Sequence, residues 1–163
     1  MNYYKADIVL QEVPHEITLC FSICGCTLRC SGCHSPFLWK EENGILLTEA
    51  EFRLQLSKYH GLISCVLFMG GEWDHDALLN LLKIARKRNL KTCLYTGLDE
   101  IPDDLKFELT WLKTGAWNKD LGGLNNPLTN QKFIEVSTNK KLNYLFYSKD
   151  YDQINKQPNQ RKN

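Results

Sequence analysis

The sequence predicts an α/β fold whose parallel strands are joined by crossover helices. Three observations carry this: a period-two apolar run at residues 16–24, a short apolar run at 64–69 that suits a strand buried on both faces, and an amphipathic segment at 74–89 followed by a further strand at 92–95. Strands that alternate with helices in this way call for right-handed crossovers, and ligands then gather beyond the C-terminal ends of the strands.

In the first strand Ile17, Leu19, Phe21 and Ile23 alternate with Thr18, Cys20 and Ser22. It runs into residues 25–36, where small residues, three cysteines and a proline read as a loop. Thr48 with Glu51 forms a capping-box pair that opens a helix bearing Phe52, Leu56 and Tyr59 on one face and ending near His60 and Gly61. The second strand, 64–69, delivers Gly70-Gly71-Glu72 at its C-terminal end. The helix at 74–89 carries acidic residues in its first turn, Leu78, Leu81, Leu82 and Ala85 along one face, and Lys83, Arg86, Lys87 and Arg88 towards its end. A third strand, 92–95, ends at Thr96-Gly97, and a fourth, 109–112, at Lys113-Thr114-Gly115. A polar, glycine-bearing loop follows at 122–131, and 132–136 and 143–147 read as final strands. Residues 149–163, rich in Asn, Gln and Lys, read as a solvated, flexible tail, so a single domain is expected over 1–148.

Composition narrows the function classes. A formal charge of +1 in 163 residues supplies no strong field for nucleic acid or anionic lipid. No stretch approaches the roughly 20 apolar residues of a membrane span, and Lys5 and Asp7 interrupt the start of the chain, so a cytoplasmic location with no membrane and no nucleic-acid partner is expected. Seven cysteines in a reducing compartment stay free or bind metal.

Three of those cysteines form one compact run, Cys26-Thr-Leu-Arg-Cys30-Ser-Gly-Cys33. Thiolates are natural ligands of both zinc and iron-sulfur clusters. Structural zinc takes four ligands, usually as two separated pairs, and here His34 or Cys24 could complete such a site. A [4Fe-4S] cubane held by three thiolates leaves its fourth iron open to an outside ligand, whereas an electron carrier normally ligates all four. Cys20, Cys24, Cys65 and Cys93 lie in or beside apolar strands and read as small buried hydrophobes.

The CxxxCxxC run after a first strand resembles the signature of the radical S-adenosylmethionine enzymes, and Gly70-Gly71-Glu72 resembles their GGE motif. The resemblance implies a small, open partial (β/α) barrel with Cys26, Cys30 and Cys33 on the cluster. It also implies Gly32, His34, Gly70, Gly71, Glu72, Thr96 and Lys113 around S-adenosylmethionine, and no catalytic side chain, since the cofactor carries the radical. The segment from Cys26 to Trp39, Tyr95-Thr96-Gly97, Lys113-Thr114-Gly115, Leu121-Gly122-Gly123-Leu124 and Thr129-Asn130-Gln131 are similar to the glycyl-radical activating branch that serves anaerobic ribonucleoside-triphosphate reductase. Thr110 and Trp111 stand where many relatives carry an acid, and Ser35 where an asparagine is frequent. The branch implies that reductase as partner and reduced flavodoxin or ferredoxin as electron donor. Three other readings remain: an activase for pyruvate formate-lyase or a related enzyme, a radical enzyme acting on a small molecule, and a non-catalytic zinc or iron-sulfur module.

Overall fold

The computed structural model describes residues 1–147. The expected tail at 149–163 lies outside the described residues. One eight-stranded mixed sheet organises the chain in the order β3-β1-β2-β4-β5-β6-β7-β8. The strands are β1 Asn2–Val9, β2 Thr18–Ile23, β3 Ile45–Leu46, β4 Cys65–Met69, β5 Lys91–Tyr95, β6 Trp111–Thr114, β7 Lys132–Glu135 and β8 Lys140–Lys141. Helices α1 Glu49–Lys58, α2 His75–Lys87 and α3 Asp103–Phe107 bridge the four central strands.

Those four, β2-β4-β5-β6, are parallel, as the alternation predicts. Ser22, Met69, Tyr95 and Lys113 pair across them in one row, so their C-terminal ends stand side by side. The flanks differ from the all-parallel expectation, because β1 pairs antiparallel with β2 and β3, and β7 with β6 and β8. Among the described residues β3 and β8 do not pair with each other, and the sheet stays open.

Alternation assigns the two faces. Leu19, Phe21, Ile23, Val66, Phe68, Leu94 and Leu112 pack with Phe52 and Leu56 of α1, Leu78, Leu81, Leu82, Ile84 and Ala85 of α2, and Leu105 of α3. The opposite face carries Cys20, Cys65, Leu67 and Cys93, covered by Val13, Leu124, Phe133 and Leu142 from the connecting segments. The Thr48 side chain caps α1 by accepting from the Glu51 amide at 3.1 Å. The reciprocal half of the capping box is replaced, since the Glu51 carboxylate accepts from Gln55 and from the Tyr3 hydroxyl instead.

The expected strand at 143–147 is a correction: Asn143–Phe146 is a 3-10 turn. The buried Asn143 carboxamide accepts from the Phe133 amide and donates to the Gln131 carbonyl, both at 2.9 Å, so a side chain takes the bonds that a continuing strand's backbone would make.

Cys20, Cys24, Cys65 and Cys93 are buried, as small hydrophobes would be. Burial pushes the Cys20 and Cys65 thiols up to about 12, and that of Cys93 well above its ordinary value. Because these folded-state values lie above those of the unfolded chain, stability is complete below about pH 9 and falls as pH rises towards 12. Each buried thiol contributes a slope of about 1.4 kcal/mol per pH unit in that window. Urea unfolding of the metal-free chain at pH 8 and pH 10.5 checks this, and Cys65→Val is expected to flatten the loss.

Candidate metal and cofactor site

The cysteine loop leaves the C-terminal end of β2 and is closed at its base, where the amides of Gly25 and Cys26 donate to the Leu38 carbonyl at 2.8 and 3.2 Å. A tight turn inside it has the Cys33 amide on the Cys30 carbonyl at 3.1 Å, with Arg29 and Gly32 at positive φ. Glycine at 32 therefore serves a left-handed backbone position. Cys26, Cys30 and Cys33 are half-buried, unlike the other four cysteines. Burial, as the leading cause, raises the Cys26 thiol, against backbone amides of Leu28 and Arg29 that donate to it. The Ser35 amide donates to Cys33 Sγ at 3.4 Å.

Three further strand ends meet this loop. After β4 come Gly70 and Gly71, both at positive φ, and Glu72, while β5 delivers Thr96 and Gly97. A cavity of about 140 Å³ is lined by Cys26, Cys33, Gly70, Glu72, Thr96 and Gly97, together with Trp39 and Trp73. The Thr96 hydroxyl donates to Glu72 Oε1 at 2.5 Å, and Glu72 Oε2 is buried with no partner. Burial raises the Glu72 carboxyl, opposed by the Thr96 bond and by the Lys113 charge. Lys113, in β6, donates to the carbonyls of Gly115 at 2.8 Å and Thr96 at 3.4 Å. Burial lowers its ammonium to about 8, with the sulfur of Cys30 and the Glu72 carboxylate acting the other way.

Cys26, Cys33, Gly70, Glu72 and Thr96 thus line one space. Cys30 and Lys113 do not line it, although the two lie close enough for their charges to interact. Gly32 and His34 do not line it either and lie against Trp117, whose ring centroid is 4.4 Å from that of His34. The two residues that could complete a zinc site face elsewhere: Cys24 Sγ packs at Gly44, and the His34 ring lies on Trp117. Among the described residues no three His, Cys, Asp or Glu side chains converge on one ion. A cubane asks for something else, since each thiolate takes a different iron.

One observation fits a cluster with an organic cofactor beside it. Among the described residues four buried side-chain polar atoms lack a partner, and three of them, Trp39 Nε1, Glu72 Oε2 and Trp117 Nε1, flank the cysteine loop or the adjoining cavity. Buried polar groups are nearly always bonded, so these point to a missing polar ligand. The strand-end glycines are tightly covered: a Cβ on Gly70 would meet Trp73 Cη2 at 2.6 Å, and one on Gly97 would meet Leu28 Cδ1. Gly70→Ala is therefore expected to destabilise the chain by about 1–3 kcal/mol through backbone strain alone. Denaturant unfolding checks this, and Trp73→Ala in the same chain should relieve only the ring contact.

Trp73 and Trp117 were not singled out as site residues by the sequence, and neither was Leu28. Trp73 directly follows the glycine pair and its acid, which is the one local signal available, whereas Trp117 reaches the loop only through folding.

Beyond the row of strand ends lies a larger cavity of about 770 Å³, lined on one side by residues of the β1–β2 connection and on the other by Leu124, Gln131 and Phe146, with Tyr95 and Lys113 in its wall. Tyr95 lines both cavities. Its hydroxyl donates to the Glu12 carbonyl, tying the β1–β2 connection to the end of β5, and burial raises its phenol.

Comparison with known proteins points to an iron-sulfur protein. Over 79 residues the chain is 32% identical to the pyruvate formate-lyase-activating enzyme of Clostridium pasteurianum, a match that covers 45% of this chain and 33% of that protein. The matched stretch is thus about a third of the relative's length. No solved structure matches the chain. The profile of the 4Fe-4S single cluster domain matches residues 17–108, from the start of β2 past α3. That segment is more than half of the chain and contains all three loop cysteines, Glu72 and Thr96, and the chain belongs to the 4Fe-4S single cluster domain family.

Proposed function

We propose that the chain is a radical S-adenosylmethionine activating enzyme that generates a glycyl radical on anaerobic ribonucleoside-triphosphate reductase. In this reading Cys26, Cys30 and Cys33 hold a [4Fe-4S] cluster, and S-adenosylmethionine binds beside it. The observation that carries it is Glu72 Oε2, buried without a partner in the cavity that Cys26 and Cys33 line. An amine cation is the natural partner for such an oxygen, and the methionine end of this cofactor supplies one.

Held beside a cluster on Cys26, Cys30 and Cys33, the cofactor would supply one-electron radical chemistry, with reduced flavodoxin or ferredoxin as electron donor and a partner glycine as the source of the hydrogen atom. The chain's residues bind, orient and exclude water. Thr96 holds Oε1 of the Glu72 carboxylate and leaves Oε2 for the ligand. Gly70 and Gly71 shape the turn after β4 through positive φ, and Gly32 and His34 lie on the cysteine loop to meet the adenine. Lys113, whose charge interacts with Cys30, serves as the cation for a carboxylate or ribose of the cofactor. Leu28, over Gly97, and Trp73, over Gly70, keep water from the reacting end. The 770 Å³ cavity, open beside Tyr95, admits the glycine-bearing loop of the partner.

An activase for pyruvate formate-lyase is the second reading, favoured by the clostridial relative. Electron paramagnetic resonance separates the two. The reconstituted chain, cofactor and reductant are incubated anaerobically with each candidate partner, and a glycyl-radical doublet is expected in the reductase. A doublet in the lyase alone transfers the assignment, and no radical in either with no cofactor cleavage overturns the reading. The proposal includes a cytoplasmic location and no membrane or nucleic-acid partner, which the charge of +1 and the seven cysteines support. Among the described residues no helix is long and apolar enough to cross a membrane.

A further inference from the structure

We infer that the indole N–H of Trp117 donates a hydrogen bond to a sulfur of the bound cluster and thereby sets its reduction potential. The inference rests on the cluster reading above and adds a positioning residue that the cysteine motif does not contain.

Trp117 lies just past β6, in the connection to β7, and folds back over the cysteine loop. Its Nε1 stands 3.7 Å from where a Cβ on Gly32 would be, between Cys30 and Cys33 in sequence. The ring is held from two sides, by the His34 imidazole at 4.4 Å between centroids and by Gly123, whose Cβ position is 3.8 Å from Trp117 Cζ3. The N–H is nonetheless buried and has no acceptor. An indole nitrogen only donates, and leaving a buried donor unpaired costs about 1–3 kcal/mol. The atom is buried, and the other side chain beside Gly32, that of Lys119, carries only donors and offers no acceptor. The acceptors that a loaded loop would offer beside Gly32 are the sulfurs at Cys30 and Cys33, which flank it in sequence. A three-cysteine cluster gains negative charge on reduction, so a donor to its sulfur stabilises the reduced state more than the oxidised one.

The test uses the full chain, reconstituted anaerobically with iron and sulfide. Iron content is measured first, and then the midpoint potential by redox titration followed with paramagnetic resonance. Trp117→Phe keeps a ring against His34 and removes the N–H. Its reduced-to-oxidised ratio at fixed potential is expected to fall about tenfold, a downward shift of about 59 mV for one electron. Should that variant fail to load, the benzothienylalanine isostere at position 117 decides, because it replaces only the N–H by sulfur. An unchanged midpoint in a fully loaded variant overturns the inference. A wild-type chain that takes up no four-iron cluster overturns the site reading itself, and iron content tells the two failures apart.

Discussion

Cys30→Ala is expected to fold normally and to lose cofactor cleavage altogether. Cys30 is half-buried on a loop outside both apolar clusters, so its truncation leaves the packing of the sheet intact. A substitution away from buried features changes stability by no more than about 0.5 kcal/mol. The cluster is affected differently, since a three-thiolate set has no spare ligand: Cys24 is turned to Gly44 and His34 to Trp117. Loss of visible iron-sulfur absorbance and of 5′-deoxyadenosine formation, with an unchanged urea midpoint, is the expected pattern. Cys65→Ala provides the opposite control. Its thiol is fully buried on the second face of the sheet, and the variant should unfold about 1 kcal/mol more easily while retaining cluster and cleavage. If Cys30→Ala cleaves the cofactor at the wild-type rate, the assignment of the loop as the cluster site is wrong.

The second large effect is on cofactor affinity. Glu72→Gln keeps the shape of the side chain and its bond to Thr96, but removes the charge that faces the cavity. A hydrogen bond to a charged group is worth about 1.5–3 kcal/mol, so affinity should fall roughly 10- to 100-fold with iron content unchanged. The pH dependence has a sign as well. Burial raises the Glu72 carboxyl, so it loses its charge at a higher pH than an exposed glutamate, and wild-type affinity declines on the acid side as pH falls through that raised value. On the alkaline side Lys113 discharges near pH 8, which weakens binding of a carboxylate. Glu72→Gln should lack the acid limb and keep the alkaline one. Isothermal titration of the cluster-loaded chain with S-adenosylmethionine at several pH values measures both limbs, and equal affinity of the two proteins would remove Glu72 from the site.

Particular residues show why some elements could be read in advance and others could not. The central strands were legible because burial on both faces leaves uninterrupted apolar runs, as in Cys65–Met69, and α2 because thirteen residues display several turns of one apolar face. β1 was not read as a strand. Tyr4, Lys5 and Ile8 are exposed and Asp7 is only half-buried, so the alternation is blurred, and pairing with β2 and β3 holds the segment. α3 has five residues, too few for a helical period, and depends on Leu105 reaching the core. At 143–147 apolar and aromatic residues suggest a strand, but the bonds made by the Asn143 side chain to Phe133 and Gln131 turn the chain away. The expectation of parallel strands held for the centre because helices must cross back between consecutive strands there. At both flanks, connections without an α-helix, 10–17 before β2 and 115–131 before β7, reverse the direction.

By itself the sequence determined which atoms are available for chemistry: three thiols spaced on one loop, an acid after a glycine pair, and strand ends that a parallel order brings to one side. These follow from local spacing and backbone rules. Tertiary structure decided which polar atoms are left unpaired around that loop, that Trp73 and Leu28 cover the glycines, and that Trp117 returns to the cysteines from beyond the fourth parallel strand. Such facts arise from contacts between segments far apart in the chain, and burial, which gives an unpaired oxygen or N–H its energetic weight, exists only once those segments have packed.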